Sequence, residues 1–183
     1  MNVGCVPKKV MWNVATVNEI IHDAHKFAFN VGSYEFDWKR MKEMRDAYIT
    51  RLNGIYSRLL KGSEVELITG TASFIGPKEI KVKSSEGEEM EETITADNIL
   101  IAVGGKPVMP DIPGIEHCID SNGFFELSEK PKNVAVIGGG YIGVELAGVF
   151  QALGTDTKLF IRGDKPLRGF DDLIVDTLMK EMT

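Results

Sequence analysis

A glycine-rich turn between Asn133 and Glu145 is the stretch of the 183-residue chain best suited to hold a ligand. It reads N-V-A-V-I-G-G-G-Y-I-G-V-E, and Gly138, Gly140 and Gly143 form the pattern G-x-G-x-x-G. The apolar run before the glycines is typical of a strand buried on both faces, and apolar residues recur after them at helical spacing. In this setting the glycines permit a tight turn, close approach of the backbone to a pyrophosphate, and close packing of helix on strand. We therefore predict a dinucleotide-binding turn, with phosphate at the helix N-terminus.

A cysteine near the start of the chain could do redox or nucleophilic chemistry. The segment M-N-V-G-C-V-P-K-K precedes an amphipathic helix that we expect to run to about His25, and Pro7 suits its first turn. Cys5 then lies at a helix N-terminus, with Lys8 and Lys9 one turn further on, and both features favour the thiolate form. A cysteine that merely packs against its neighbours is the alternative, and its position alone does not decide between the two.

Two arginines follow the strand predicted after the glycine turn. Dinucleotide-binding units that take NAD usually carry an acidic residue at this point, about 20 residues after the glycines. Here the strand, predicted from Thr157 to Ile161, ends at Arg162, and Arg168 follows. Guanidinium groups attract a ribose 2′-phosphate, which a carboxylate would repel, so the unit is predicted to select NADP. Two solvated surface arginines are the alternative.

The remaining elements alternate between helix and strand, which indicates an α/β protein. A second helix of about six turns is expected to begin after Asp37 and to end at Gly62. Next come strands predicted at 64–68, 71–75, 79–83 and 91–95, with a charged hairpin tip at 84–92, and a buried strand at 98–103. A short helix at 121–127 precedes the glycine turn, and a last amphipathic helix spans 171–182.

The composition excludes several classes of function. The chain carries 21 basic and 27 acidic residues, a net charge of −6, and its sequence has no basic stripe, so we predict no nucleic-acid partner. Its apolar runs are too short to span a membrane, and we predict no metal site. The two cysteines, Cys5 and Cys118, exclude a structural disulfide network and favour a reducing compartment, for which the cytoplasm is our prediction and a mitochondrial location the alternative.

Two of these segments together resemble the pyridine nucleotide–disulfide oxidoreductase family. V-G-C-V-P-K-K is similar to its redox-active segment, and G-G-G-Y-I-G-V-E with the two arginines is similar to its NADPH site. R-D-A-Y-I-T-R-L-N-G-I-Y and S-N-G-F-F narrow the resemblance to the glutathione reductases. The resemblance implies a flavoprotein of Rossmann-like, three-layer ββα-type architecture with an antiparallel β-meander. Such an enzyme would use FAD and NADPH to reduce glutathione disulfide, as a homodimer.

The resemblance also implies a role for individual residues. Cys5 matches the flavin-proximal cysteine, Lys8 a lysine beside the flavin, Glu145 the acidic partner of that lysine, and Tyr141 an aromatic gate to the nicotinamide site. It implies NADPH contacts at the glycine turn and the arginines: Gly138, Gly139, Gly140, Ile142, Gly143, Glu145, Arg162 and Arg168. Positions near FAD are Lys8, Ala72, Gly104 and Ser121, and positions on the glutathione side are Tyr56, Ile55 and Tyr48. On spacing alone, the aromatic residues of the second helix are more typical of a core.

The chain also departs from the family pattern. The redox motif is C-x-N-V-G-C, and its first cysteine would fall immediately before Met1. Also absent are the N-terminal glycine motif for the ADP half of FAD and the C-terminal interface domain. Val103 replaces a usual threonine, and Asn122 stands where an aspartate is common. We therefore expect an internal fragment that is inactive alone, with residues 1–104 from an FAD domain and residues 105–183 from an NADPH domain.

Three alternatives stay open at this point. The parent enzyme could reduce thioredoxin or trypanothione instead of glutathione disulfide, because the redox and nucleotide motifs are shared across the family. The chain could also be a truncated product that binds a nucleotide without catalysis.

From the resemblance we further expect the charged ends of Lys8 and Glu145, far apart in sequence, to form an ion pair.

Overall fold

The computed structural model describes residues 2–84 and 91–182. The helices are α1 (Cys5–Asp23), α2 (Trp38–Gly62), α3 (Ser121–Glu126), α4 (Tyr141–Ala152) and α5 (Asp172–Met182). The strands are β1 (Thr71–Gly76), β2 (Glu79–Lys83), β3 (Glu91–Thr95), β4 (Asn133–Ile137) and β5 (Asp156–Phe160). Short 3-10 turns lie at Ala24–Phe27 and Ile115–His117. The mixture of helix and strand, with an antiparallel sheet, confirms the predicted α/β class.

The chain divides into two compact units. The first contains Met1–Thr50 and Met109–Thr183, and the second contains Arg51–Val108. The division falls inside α2, so this one helix contributes residues to both units. These units are defined by contacts within the structure. The expected FAD domain (residues 1–104) and NADPH domain (residues 105–183) come instead from the family resemblance, and they stay a prediction.

The core of the first unit is formed where α1, α3 and α4 pack around the start of α2. Trp38 lies at its centre: its ring stacks on Phe150 with centroids 5.9 Å apart and meets Phe124 edge-on at 6.2 Å. Its indole N–H donates to the Leu127 carbonyl at 2.9 Å, which satisfies the polar edge of a buried ring. The other buried members of this cluster are apolar: Met11, Ala15, Met41, Phe125, Leu146, Val149 and Leu153.

Local sequence signals place the helix starts correctly. The backbone N–H of Arg40 donates to Asp37 Oδ1 at 2.9 Å, which confirms Asp37 as the N-cap of α2. α1 begins at Cys5 and ends at Asp23, close to the predicted end at His25. The short helix α3 is likewise capped, since Asp120 Oδ1 accepts from the N–H groups of Asn122 and Gly123.

The glycine turn connects β4 to α4, and β5 returns beside β4. The two strands are parallel, with Asn133 opposite Asp156 and Ile137 opposite Phe160, and the Gly138 N–H extends the ladder by donating to the Phe160 carbonyl at 2.8 Å. The predicted strand–turn–helix–strand order is confirmed. The prediction that β4 is buried on both faces is wrong, because exposed and half-buried residues alternate along it. Among the described residues, only one face of this two-stranded sheet is covered, and burial on both faces needs a second covering layer.

The second unit contains an antiparallel meander. β2 pairs with β1 on one side and with β3 on the other, with Val82 opposite both Ala72 and Glu92. Ile80 and Val82 lie on one face, as their alternation predicts, and Val82 is buried. The strand bounds agree with prediction to within a residue, whereas the predicted acidic tip lies largely at residues 85–90, outside the described residues.

The predictions of two further strands are wrong. Residues 64–68 and 98–103 form no strand, and the side chains of Leu100 and Val103 are each 90% exposed. An apolar run becomes a buried strand only when a neighbouring strand satisfies its backbone N–H and C=O groups. None of the described strands pairs with either segment, so the pattern alone was not sufficient.

Arg45 is a buried cation in the first unit, with only 3% of its surface exposed. Its guanidinium donates to the Phe125 carbonyl at 2.6 Å and to Asp46 Oδ1 at 2.7 Å, and it lies 5.5 Å from the centroid of the Phe125 ring. The carbonyl would be left buried and unpaired without it. Arg45 thereby links α2 to the end of α3.

Replacing this cation should destabilise the protein. We expect Arg45→Met to lower the free energy of unfolding by about 2 kcal/mol, because methionine fills much of the space but leaves the Phe125 carbonyl without a donor. Arg40→Met on the same helix is the control; its side chain is exposed and should change stability by less than about 0.5 kcal/mol. Urea denaturation measures both, and equal effects would contradict the role given to Arg45.

The ion pairs of Asp46 predict a dependence of stability on pH. Burial by itself raises the pKa of Asp46, but hydrogen bonds from Lys42 and Arg45 outweigh it and hold the pKa below its ordinary value of 3.8. A lowered folded-state pKa contributes stability that is present above pH 3.8 and is lost as the pH falls through the folded-state pKa. We expect Asp46→Asn to flatten the loss of thermal stability below about pH 4. Asp111→Asn, on an exposed loop, is the control, and an unchanged acid limb in Asp46→Asn would contradict the prediction.

Candidate functional site

Cys5 is the first residue of α1, and its free thiol is exposed. Gly4, just before it, has φ +118°, a conformation that glycine adopts without strain, and its carbonyl accepts the Lys8 N–H at 2.9 Å. No acidic side chain occurs in the first turn. The exposed thiol therefore lies at the N-terminus of α1, as the sequence predicted.

Lys8 and Glu145 form an ion pair between α1 and α4. Lys8 Nζ lies 2.8 Å from Glu145 Oε1, although the residues are 137 positions apart. The two side chains are 25% and 35% exposed, so the pair is partly shielded from solvent. The predicted ion pair is confirmed. It joins the helix that begins with the thiol to the helix that follows the glycine turn.

The glycine turn has the backbone that a dinucleotide requires. Gly138 has φ +122°, so a side chain there would be strained. A Cβ atom on Gly143 would lie 2.2 Å from the Gly138 carbonyl oxygen, which shows that α4 packs too closely on the turn for any side chain. A Cβ on Gly140 would meet nothing within 4 Å, so the second glycine of the pattern faces open space. These are the three properties expected of a turn that lets a pyrophosphate approach the backbone.

The loop after β5 lies against this turn. The Leu167 N–H donates to the Gly139 carbonyl at 2.6 Å, and Leu167 is buried in a left-handed conformation with φ +54°. Gly139 leaves no room for a side chain, since a Cβ would lie 2.7 Å from Ile161 Cγ2. Arg162 and Arg168, at the two ends of this loop, are both exposed. The structure thus brings the loop that carries both arginines to the glycine turn.

The same loop is joined to the last helix. Lys165 Nζ pairs with Asp176 Oδ1 of α5, and the hydrogen bond from this carboxylate raises the pKa of Lys165. Lys165 therefore has an anionic partner within the protein. The 2′-phosphate role of its neighbours Arg162 and Arg168 stays a prediction.

The other predicted site residues lie at several places. Tyr141 and Ile142 begin α4 and are 55% and 41% exposed. Ser121 begins α3 and is half-buried. Tyr48 is 41% exposed on the part of α2 that belongs to the first unit. The role of each stays a prediction.

Four predicted positions belong to the second unit. Ile55 is half-buried and Tyr56 is 46% exposed, both near the end of α2. Ala72 is exposed in β1 opposite Val82, and Gly104 has φ +74° in an exposed loop. Their assignments to the glutathione side and to FAD stay predictions.

Two polar residues that hold the first unit together were missed by sequence reasoning. Arg45 follows the buried Trp38 and Met41 at helical spacing, and Asn18 follows Met11 and Ala15 in the same way. A polar residue at a core-facing position of an amphipathic helix is the signal that could have identified both.

The described residues contain neither a membrane-spanning helix nor a cluster of side chains that could bind a metal ion. No described helix is both long and apolar enough to cross a membrane. Nor do three or more described His, Cys, Asp or Glu side chains come close enough together to hold a metal ion.

The paired α1 and α4 helices, the exposed thiol and the glycine turn define the class of protein, and comparison with known sequences agrees. The sequence model of the pyridine nucleotide-disulphide oxidoreductase family matches residues 1–183, so the chain belongs to this family. Within it, the chain is 51% identical over 181 residues to a glutathione reductase of Schizosaccharomyces pombe, a match that covers 98% of this chain and 39% of the relative. It is 49% identical over 187 residues to a glutathione reductase of Yarrowia lipolytica, covering 97% and 39% respectively. The chain therefore spans about two fifths of the length of the curated relatives it matches.

The close packing at Gly143 leads to a test that compares the second and third glycines of the turn. We expect Gly143→Ala to lower the free energy of unfolding by about 2 kcal/mol, because the new methyl group meets a backbone carbonyl that cannot move freely. Gly140→Ala is the matched change three residues away: φ is −75° and the space is open, so the cost should stay below about 1 kcal/mol. Thermal denaturation measures both. Equal destabilisation would contradict the packing role of Gly143.

Proposed function

We propose that the chain is the redox-thiol and nucleotide-binding part of an NADPH-dependent flavoprotein that reduces glutathione disulfide to glutathione. The observation that carries the proposal is the ion pair between Lys8 and Glu145, since it joins the thiol helix to the nucleotide helix. The names of two relatives, at 51% and 49% identity, support glutathione disulfide as the substrate. The activity serves cell redox homeostasis, and the intact protein works as a homodimer in the cytoplasm or mitochondria.

The residues present fit the pyridine nucleotide. The turn from Gly138 to Gly143 leaves room for a pyrophosphate at Gly140, and the first N–H groups of α4 would donate to it. Arg162 and Arg168 would hold the 2′-phosphate, and exposed Tyr141 would cover the entrance to the nicotinamide site. These residues bind and orient NADPH, which supplies the hydride.

The residues assigned to FAD are Lys8, Ala72, Gly104 and Ser121. FAD, when bound, supplies the two-electron relay between nicotinamide and thiol. Lys8 provides a positive charge that stabilises negative charge developing beside it. Glu145 accepts a hydrogen bond from the ammonium of Lys8 at 2.8 Å and so fixes the direction of that side chain. The ion pair thus positions a fixed cation near the thiol end of α1.

The thiol step needs a pair of cysteines. Disulfide exchange proceeds when a thiolate attacks one sulfur of a disulfide, forming a new S–S bond while the other sulfur leaves as a thiolate. Cys5 provides one thiol of the pair, and its exposed position at the start of α1 leaves the sulfur open to a disulfide. Tyr56, with Ile55 and Tyr48, would contact the glutathione moieties.

The proposal is tested with the full-length protein. We expect it to consume NADPH when glutathione disulfide is supplied, and to turn over thioredoxin and trypanothione disulfides much more slowly. The 183-residue chain assayed alone is the control; we expect no turnover from it, since its two cysteines, Cys5 and Cys118, form no disulfide with each other. NADPH binding without turnover of any of the three disulfides would contradict the proposal and favour a non-catalytic nucleotide-binding role.

A further inference from the structure

The helices α1 and α4 contact each other along one line, which we call the α1–α4 seam. Besides its apolar core contacts, the seam contains Lys8 with Glu145, Trp12 with Gly148, and Asn18 with Ala152. The first is the ion pair of the proposed site. The other two lie further along both helices, away from the thiol and the glycine turn.

The hydrogen bond of Asn18 closes the far end of the seam. Its Nδ2 donates to the Ala152 carbonyl at 2.7 Å, although the two residues are 134 positions apart. Ala152 is the last residue of α4, and the last carbonyls of a helix have no partner within it. Asn18 is half-buried inside α1, where asparagine is a poor helix former. The hydrogen bond gives a reason for asparagine at this position.

Two separated attachments fix an angle as well as a distance. Residues 8 and 18 are about 15 Å apart along α1, and residues 145 and 152 are about 10 Å apart along α4, at 1.5 Å per residue. Met11 and Ala15 of α1 pack in the same apolar core as Val149 of α4, which holds the two helices together. Apolar packing is non-directional, and the polar contacts of residues 8 and 18 add a directional restraint at each end.

We propose that Asn18 is a positioning residue for the redox reaction: by holding the C-terminal end of α4 it aligns α1, and with it Cys5 and Lys8, against the glycine turn. The inference rests on the proposed function, because alignment matters only if thiol and nucleotide act in one reaction. Reactions that depend on two oriented groups lose rate steeply when one is displaced, up to about 10²-fold for an ångström.

Trp12 reports on the seam directly. A Cβ on Gly148 would lie 3.7 Å from Trp12 Cζ3, so the indole rests on the backbone of α4 between the two polar contacts. Trp12 is 41% exposed. Movement of α1 away from α4 would open the covered part of its ring to a quencher, and subtracting the signal of a Trp12→Phe variant isolates its fluorescence.

The test compares Asn18→Ala with Asn13→Ala in the full-length protein. Asn13 lies on the exposed side of the same helix, so both variants receive the same gain in helix propensity and neither should fail to fold. In Asn18→Ala we expect stronger acrylamide quenching of Trp12 and a kcat about tenfold lower, with the KM for NADPH within about twofold. A purely structural role would lower the melting temperature and leave these quantities unchanged.

Asn18→Gln provides a second arm, because it keeps an amide donor on a longer side chain. We expect it to recover most of the lost kcat, and recovery no better than in Asn18→Ala would count against the hydrogen bond. If Asn18→Ala matches Asn13→Ala in quenching and in kcat, the positioning role is overturned. If the unmodified protein shows no disulfide reduction, the proposed function fails, and the quenching comparison still decides whether Asn18 holds the seam.

Discussion

Replacing Cys5 by serine is expected to abolish glutathione-disulfide reduction, with kcat falling at least about 10³-fold. A serine hydroxyl is not ionised at neutral pH and forms no disulfide, so neither attack on sulfur nor storage of the two electrons is possible. Binding of NADPH should persist, because the glycine turn and both arginines are untouched. The assay is NADPH consumption by the full-length variant, with nucleotide binding measured separately.

Cys118 supplies the matched control for this variant. It is also a free and exposed cysteine, but it lies at the end of a 3-10 turn, and its thiol lies 4.0 Å from the Gly114 carbonyl. Cys118→Ser should keep kcat within about twofold, as expected of a surface change away from the site. Loss of activity in both variants, or in neither, would contradict the assignment of the redox thiol to Cys5.

Local features of the fold could be predicted from the sequence because their causes are local. The N-cap at Asp37 and the strand–turn–helix order around Gly138 depend on residues a few positions apart. The strand predicted at 98–103 failed because burial depends on a neighbour that the segment itself does not specify. The prediction that β4 is buried on both faces failed for the same reason, since a covering layer on its second face is not specified by β4 itself.

The candidate site shows the same contrast. Spacing alone could identify the glycine turn and the helix N-terminus at Cys5, but the pairing of Lys8 with Glu145 was expected from family resemblance, since no pattern links residues 137 positions apart. Helical spacing marks Arg45 and Asn18 as core-facing, but their partners, the carbonyls of Phe125 and Ala152, could not be identified from the sequence. Every residue carries a carbonyl, so such an acceptor leaves no mark in the sequence.

Neutralising the two loop arginines is expected to remove the preference for NADPH over NADH. Arg162 follows β5 directly, and Arg168 is adjacent to Leu167, whose N–H holds the loop to Gly139 at 2.6 Å. A hydrogen bond from a charged donor contributes about 1.5–3 kcal/mol. Losing two of them from Arg162→Gln with Arg168→Gln should lower kcat/KM for NADPH by about 10²- to 10⁴-fold.

The comparison with NADH separates this effect from damage to the fold. NADH has no 2′-phosphate, so its kcat/KM should stay within about threefold when the arginines are replaced. Lys132→Gln with Lys158→Gln removes the same two positive charges from exposed positions, one before β4 and one on β5, and is the control for net charge. A similar fall for NADPH in the lysine pair would mean that the arginines act only through the overall field of the protein. An equal fall for NADH in the arginine pair would mean that they support the turn and not the phosphate.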